Sequence, residues 1–294
     1  MILLAEKYFL VWRGIKMETT AKPALRLNAF HLKVIALVTM TLDHIGSYQT
    51  FTINRTFNDA LRIIGRIAAP LFLFMVVEGL RHTRSKPKYI LRLYTAGVII
   101  ESVNRVISRL TGTFEFGNTL PMFFYTALFV FCIETIINTK KVFLPTCGIL
   151  IPFLSYFLNI ILMEQGFRTA WSVISLFLPS PMNVDYSILF VLMGVAWYFI
   201  NSKAINCMIL AGLSAVCFAV PASWFFTFSS VWLKPVFFNV FGLFVDTQWC
   251  MFLAIPFILL YNGEKGRSMK YFFYIYYPVH VYVLFFIRYI RNFF

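Results

Sequence analysis

Asp43 and His44 stand side by side in Met40–Gly46, inside an apolar run from Leu32 to Phe51. That run is long enough to cross a bilayer as a helix. Ionisable side chains at such depth are costly and face protein or water rather than lipid. Histidine is also the side chain best suited to move a proton near neutral pH, so the pair reads as a site of acid–base chemistry. The plainer alternative is a polar pair that holds two helices together. A second histidine, His280, follows Tyr276-Tyr277-Pro278 in a later apolar run. His44 lies about a dozen residues into its span, roughly 18 Å along a helix, and His280 about ten residues into its own, so similar depths are expected for the two. Neighbours on a helix point about 100° apart, so Asp43 is not expected to orient His44. It is expected to pair with Arg66 or Arg92 and to shape a cavity, while Gly46 leaves room for a second helix or a thin ligand.

Other polar groups interrupt the apolar sequence. Gly65-Arg66-Ile67-Ala68-Ala69-Pro70 brings a charge, small residues and a helix-kinking proline; Arg66 could instead snorkel to the headgroups. Glu78, Arg81 and His82 share a helix face. Glu101 and Arg105 are four apart and read as an internal ion pair. Asp185 begins a later span, with helix capping as its plain alternative. Tyr274, Tyr276 and Tyr277 have interfacial placement as theirs. This many polar groups implies an internal polar cavity that some of them line. The five cysteines, Cys132, Cys147, Cys207, Cys217 and Cys250, show no metal-site or redox spacing and read as packing residues, and no metal is predicted.

The elements that must position these groups are membrane helices. The 294 residues are 60% hydrophobic and only 13% charged, whereas soluble domains are nearer a quarter charged. The apolar runs are long and do not alternate, so the fold class is all-α: a polytopic integral membrane helical bundle rather than a barrel. Spans are expected at Leu32–Phe51, Ile63–Leu80, Tyr89–Ser108, Leu120–Asn138, Val142–Met163, Tyr186–Ile200, Ile205–Phe225, Trp249–Tyr261 and Tyr271–Ile290, with Val231–Val245 a further span or a re-entrant piece. That gives about nine or ten, the doubtful stretches being Phe167–Pro181 and Val231–Val245. Residues 1–31 read as a basic cytoplasmic tail, with Met17 an alternative start, and 32–294 as a single transmembrane domain.

The net charge of +14 need not mean nucleic acid, and none is expected as a partner; the bilayer is. The basic tail and the loops with Arg81, Arg84, Lys86 and Lys88, with Lys140 and Lys141, with Lys203, and with Lys265, Arg267 and Lys270 alternate with loops poor in charge. This puts the amino terminus in the cytoplasm. A secondary transporter or flippase would show two related halves with broken helices at matching places, and no such symmetry is visible. An inert structural partner has no need of so many intramembrane polar groups.

The order of the blocks carries more than any one of them. Met40-Thr41-Leu42-Asp43-His44-Ile45-Gly46 is followed by Gly65-Arg66-Ile67-Ala68-Ala69-Pro70-Leu71-Phe72. Glu78-Gly79-Leu80-Arg81-His82-Thr83-Arg84-Ser85 and Lys88-Tyr89-Ile90-Leu91-Arg92-Leu93 come next. Asp185-Tyr186, Tyr261-Asn262-Gly263-Glu264-Lys265-Gly266 and Lys270 through His280 complete the series. In this order they resemble the TraX family of bacterial membrane proteins, from about Leu32 to the carboxyl terminus, weakly between Thr111 and Pro181. The resemblance implies a membrane acyltransferase of the cytoplasmic (inner) membrane, since the family is named for a protein that acetylates the amino terminus of conjugative pilin with acetyl-CoA. It also looks related to the wider group of multi-span membrane acyltransferases. The acceptor is left open between a peptide amine, a sugar hydroxyl and a lipid headgroup, and a membrane transporter, flippase or assembly partner without transfer activity is the alternative. Acyl transfer needs a base, positive or donor groups for the carbonyl oxygen, and cations for the CoA phosphates. His44 is the candidate base or acyl carrier, with Asp43 and His280 beside it in the catalytic set. Arg66, Arg81, His82, Arg84, Lys88 and Arg92 are the candidate donor-binding set.

Overall fold

The computed structural model describes residues 26–48, 54–112, 116–219, 247–268 and 270–291. Regular structure among them is helical, apart from one isolated bridge between Leu27 and Tyr261. Helix α1 is Ala29–Tyr48. Helix α2, Arg55–Gly65, starts at Asn54, whose side chain accepts the Phe57 amide at 2.7 Å, the ordinary way to satisfy a free N–H in a first turn. Helix α3, Ala68–His82, follows after Arg66 and Ile67. Pro70 therefore lies in the first turn of α3, where its missing N–H costs no helical bond. The break falls at Arg66–Ile67 and not at the proline, which corrects the expected kink.

Helix α4 is Lys86–Thr111 and ends at Gly112 in left-handed conformation. Helices α5, Leu120–Thr139, and α6, Phe143–Glu164, follow. The doubtful stretch after α6 forms a short helix α7, Arg168–Phe177, with no fully buried residue. A 3-10 turn at Pro181–Asn183 leads to α8, Ser187–Phe199, and then to α9, Lys203–Ala219. A 3-10 segment, Gln248–Ala254, runs into the short α10, Ile255–Leu260, and α11 is Lys270–Arg291. The possible span at Val231–Val245 lies outside the described residues, as does residues 1–25 of the expected tail.

The chain is a helical membrane protein. Arg55–His82, α5 and α6 are long and apolar enough to cross a membrane, while α8, α9 and Gln248–Leu260 are apolar but shorter. Helix α3 is central: Leu71, Leu73, Phe74, Val77 and Leu80 are buried in a core shared with α1, α5, α8 and α9. The Phe74 ring meets Trp197 of α8 and Tyr261 edge-on, at 6.0 and 5.5 Å. By contrast α6 turns Phe143, Leu144, Leu154 and Phe157 outward, as a lipid-facing helix does. Helix α11 leans on α1 through a small cluster of Tyr48, Val281, Leu284 and Phe285.

Candidate functional site: a cavity between the first and last helices

Helices α1 and α2 cross closely because both are glycine at the contact. A Cβ at Gly46 would sit 2.7 Å from the Asn58 carbonyl, and one at Gly65 would overlap Asp43 itself. The room expected beside Gly46 is thus taken by a helix. This contact brings the Gly65–Arg66 joint against the Asp43 turn of α1. Arg66 is buried and does not reach for headgroups. Its Nη2 lies 3.5 Å from Asp43 Oδ1, its Nε donates to Thr247 Oγ1 at 3.1 Å and its Nη1 to Gln248 Oε1 at 3.2 Å. Asp43 therefore pairs with Arg66, one of the two expected partners, as an ion contact without hydrogen-bond geometry.

The two histidines meet. Their ring centroids are 5.1 Å apart, nearly perpendicular. His44 Nδ1 is 2.8 Å from the Met40 carbonyl, and His280 Nδ1 is 2.8 Å from the Tyr276 carbonyl. A carbonyl only accepts, so in each ring Nδ1 carries a proton, and in the neutral ring that leaves the lone pair on Nε2. His280 Nε2 is buried with no hydrogen-bond partner among the described residues. The Tyr276 ring stacks on His280 at 5.2 Å, and its hydroxyl lies 3.0 Å from Thr41 Oγ1 of α1. Tyr277 accepts the Thr119 amide at 3.0 Å. Both tyrosines are therefore tied to neighbouring helices inside the protein, beyond any interfacial role.

Several of these groups border a cavity of about 620 Å³, within the range of ligand pockets. Asp43, His44, Arg66, Asp185 and Tyr277 line it, as do Lys33, Arg92, Lys265 and Arg267. His280 is behind His44 and not on the wall. Of the candidate donor-binding residues, the cavity collects Arg66 and Arg92. Arg81, His82, Arg84 and Lys88 do not line it. Arg81 is engaged with Glu78 at 2.6 Å and with the Trp197 and Tyr198 carbonyls of α8, which joins α3 to α8. His82 turns Nδ1 to the Glu78 carbonyl, and Arg84 and Lys88 are exposed.

A second cavity, about 530 Å³, adjoins the first and shares Leu93, Gly117 and Asp185 with it. Glu101 and Arg105, paired at 2.9 Å as expected, line it with Asn104, Trp171 and Ser175. Asp185 does not cap the helix after it: Tyr186 occupies that position, and Asp185 Oδ2 accepts from Thr119 Oγ1 at the start of α5, 3.3 Å away. Tyr186 and Ser187 both have positive φ, 62° and 66°. Two successive non-glycine residues in that region store strain, and here they turn the chain at the partition between the cavities. Sequence reading missed Lys33, Thr247 and Gln248, counted Arg267 only as a topology charge, and named Lys265 as a topology charge and as part of an ordered block without giving it a place in the site. Gln248, a polar residue entering an apolar segment, was the available signal.

A family profile described as "TraX protein" matches residues 29–288. The chain is also similar to the "Probable fimbrial assembly protein FimC, serogroup H1" of Dichelobacter nodosus, 43% identical over 75 residues, which is 25% of this chain and 30% of that protein. No solved structure matches.

Proposed function

The chain belongs to the TraX family, and from that premise we propose that it is a membrane acyltransferase moving an acetyl group from acetyl-CoA to an amine or hydroxyl. The observation that carries the reading is the meeting of His44 and His280, 5.1 Å apart, beside a cavity large enough for a ligand. His44 Nε2 takes the proton of the acceptor as its nitrogen or oxygen bonds to the thioester carbonyl carbon. Arg66, held by Asp43, Thr247 and Gln248, presents positive charge to the carbonyl oxygen as it becomes negative. When the carbon–sulfur bond breaks, His44 returns the proton to the departing thiolate. His280 holds the His44 ring from behind. In this reading the protein sits in the cytoplasmic membrane with its amino terminus inside, crosses it about nine or ten times, and takes a peptide amine, a sugar hydroxyl or a lipid headgroup as acceptor.

The test is transfer of radiolabel from acetyl-CoA to amine or hydroxyl acceptors by the purified protein in nanodiscs. Label in the acceptor is the expected result; absence of acyl-CoA binding by well-folded protein overturns it. A second reading, an assembly factor without transfer activity, is favoured by the printed name of the Dichelobacter nodosus relative. It predicts that pilus assembly survives in cells carrying His44→Ala.

A further inference from the structure

The segment Tyr261–Gly266, one of the blocks that set the order of motifs, has no role in the chemistry above. It is nevertheless a built loop. The Asn262 amide donates to the Leu27 carbonyl at 2.8 Å and the Ala29 amide to the Glu264 carbonyl at 2.8 Å, so the loop hangs from the start of α1. Asn262 Oδ1 accepts the Glu264 amide at 2.9 Å, and its Nδ2 donates to the Glu264 carboxylate at 2.8 Å. Gly263 and Gly266 have φ of +85° and +64°, a region L side chains rarely enter, and a Cβ at Gly266 would also strike Asn28. The result sets Lys265 and Arg267 on the cavity wall with Lys33 of α1 and Arg92 of α4, while Glu264 stays off it.

None of these four cations belongs to an ion pair among the described residues. Lys33 and Arg92 rest instead on the Phe273 and Tyr89 rings, at 5.8 and 5.7 Å. The carboxylates on the same wall are engaged elsewhere, Asp43 with Arg66 and Asp185 with Thr119; like charges gathered without an ion-pair partner repel one another, and a polyanion relieves that repulsion. The geometry also fixes a length. Lys33 and His44 are eleven residues apart on α1, roughly 16 Å at the helical rise, which a phosphopantetheine arm spans.

We propose that Lys33, Arg92, Lys265 and Arg267 form a clamp for the phosphates of the acyl donor, with the 262–267 loop as one jaw and the cavity guiding the donor arm to His44. The proposal rests on the acyltransferase reading for the identity of the donor, and on the cavity alone for the polyanionic head.

The test compares wild type with the Lys265→Ala/Arg267→Ala double variant in phosphatidylcholine nanodiscs, titrated calorimetrically with CoA, with pantetheine and with pyrophosphate. Both positions are exposed, so the variant retains the fold. The expected result is CoA affinity lower by about tenfold or more, the size of losing charge-assisted bonds to phosphate, with a weaker salt dependence and pantetheine binding unchanged. Pyrophosphate binding that depends on the two cations, in a protein that ignores both CoA and pantetheine, leaves the clamp standing and removes the acyl-CoA reading. Equal CoA affinity in the two proteins overturns the clamp, as does equal loss of CoA and pantetheine. Equal CoA affinity in phosphatidylcholine, with a difference between the two proteins only in the phosphatidylglycerol they retain on purification from membranes, assigns the cations to lipid headgroups and overturns it too.

Discussion

His44 and His280 have the same local chemistry, with Nδ1 tied to the carbonyl four residues back, yet different places. His44 is on the cavity wall and His280 behind it. His44→Ala should therefore lower transfer by about a hundredfold to ten-thousandfold, the ordinary contribution of a general base, with the fold and acyl-CoA binding intact. His280→Ala should cost less and fall on kcat with KM for the donor unchanged, because the residue acts through the His44 ring. Turnover and calorimetric donor binding on the same preparations decide this; near-normal turnover of His44→Gln at saturating substrate makes His44 structural. Asp43, His44 and His280 were legible in the sequence because an ionisable group stands out in an apolar span, and counting along each span foretold their shared depth. Lys33, Lys265 and Arg267 were not, because a cation near a helix end looks the same whether it meets a headgroup or a ligand.

At the scale of elements, the α1–α2 crossing holds Asp43 against Arg66. A Cβ at Gly65 overlaps both the Cβ and the backbone of Asp43, and no rotamer change relieves that. Gly65→Ala should force the helices apart, destabilise the protein by about 1–3 kcal/mol, as overpacking does, and reduce transfer although every chemical group remains. Gly212→Ala in α9, where a Cβ meets nothing within 4 Å, should leave transfer unchanged and the melting temperature the same or slightly higher. Thermal unfolding in one detergent, alongside transfer, separates the two, and equal behaviour of the variants removes the crossing from the argument. The long apolar helices α5 and α6 were legible almost to the residue, since a run of apolar residues bounded by basic or polar ends has one membrane solution. The joint at Arg66–Ile67, the short α7 and the 3-10 segment at Gln248–Ala254 were not; at the first and last of these, tertiary partners such as Arg66 with Gln248 decide the local structure.

At the scale of the whole molecule, two cavities meet at Asp185 and Gly117. The first carries the unpaired cations near the start of α1 and of α4. The second is lined by Ser108 and Arg109, at the far end of α4, and by Trp171 and Ser175 of α7. A helix of 26 residues separates the ends of α4, roughly 39 Å at the helical rise, about a bilayer with its headgroups. Under the proposed function this arrangement predicts separate approaches for donor and acceptor, with Asp185 in the wall between. Ser175→Cys, in a protein whose five native cysteines are replaced by serine or alanine, should react with a charged, membrane-impermeant thiol reagent added outside. The adduct should block transfer while acyl-CoA binding is retained, because it fills the second cavity and not the first. The same reagent confined to the inside of the vesicle should leave transfer unchanged. Block from the inside alone, or loss of donor binding along with transfer, makes the two cavities one site with a single entrance.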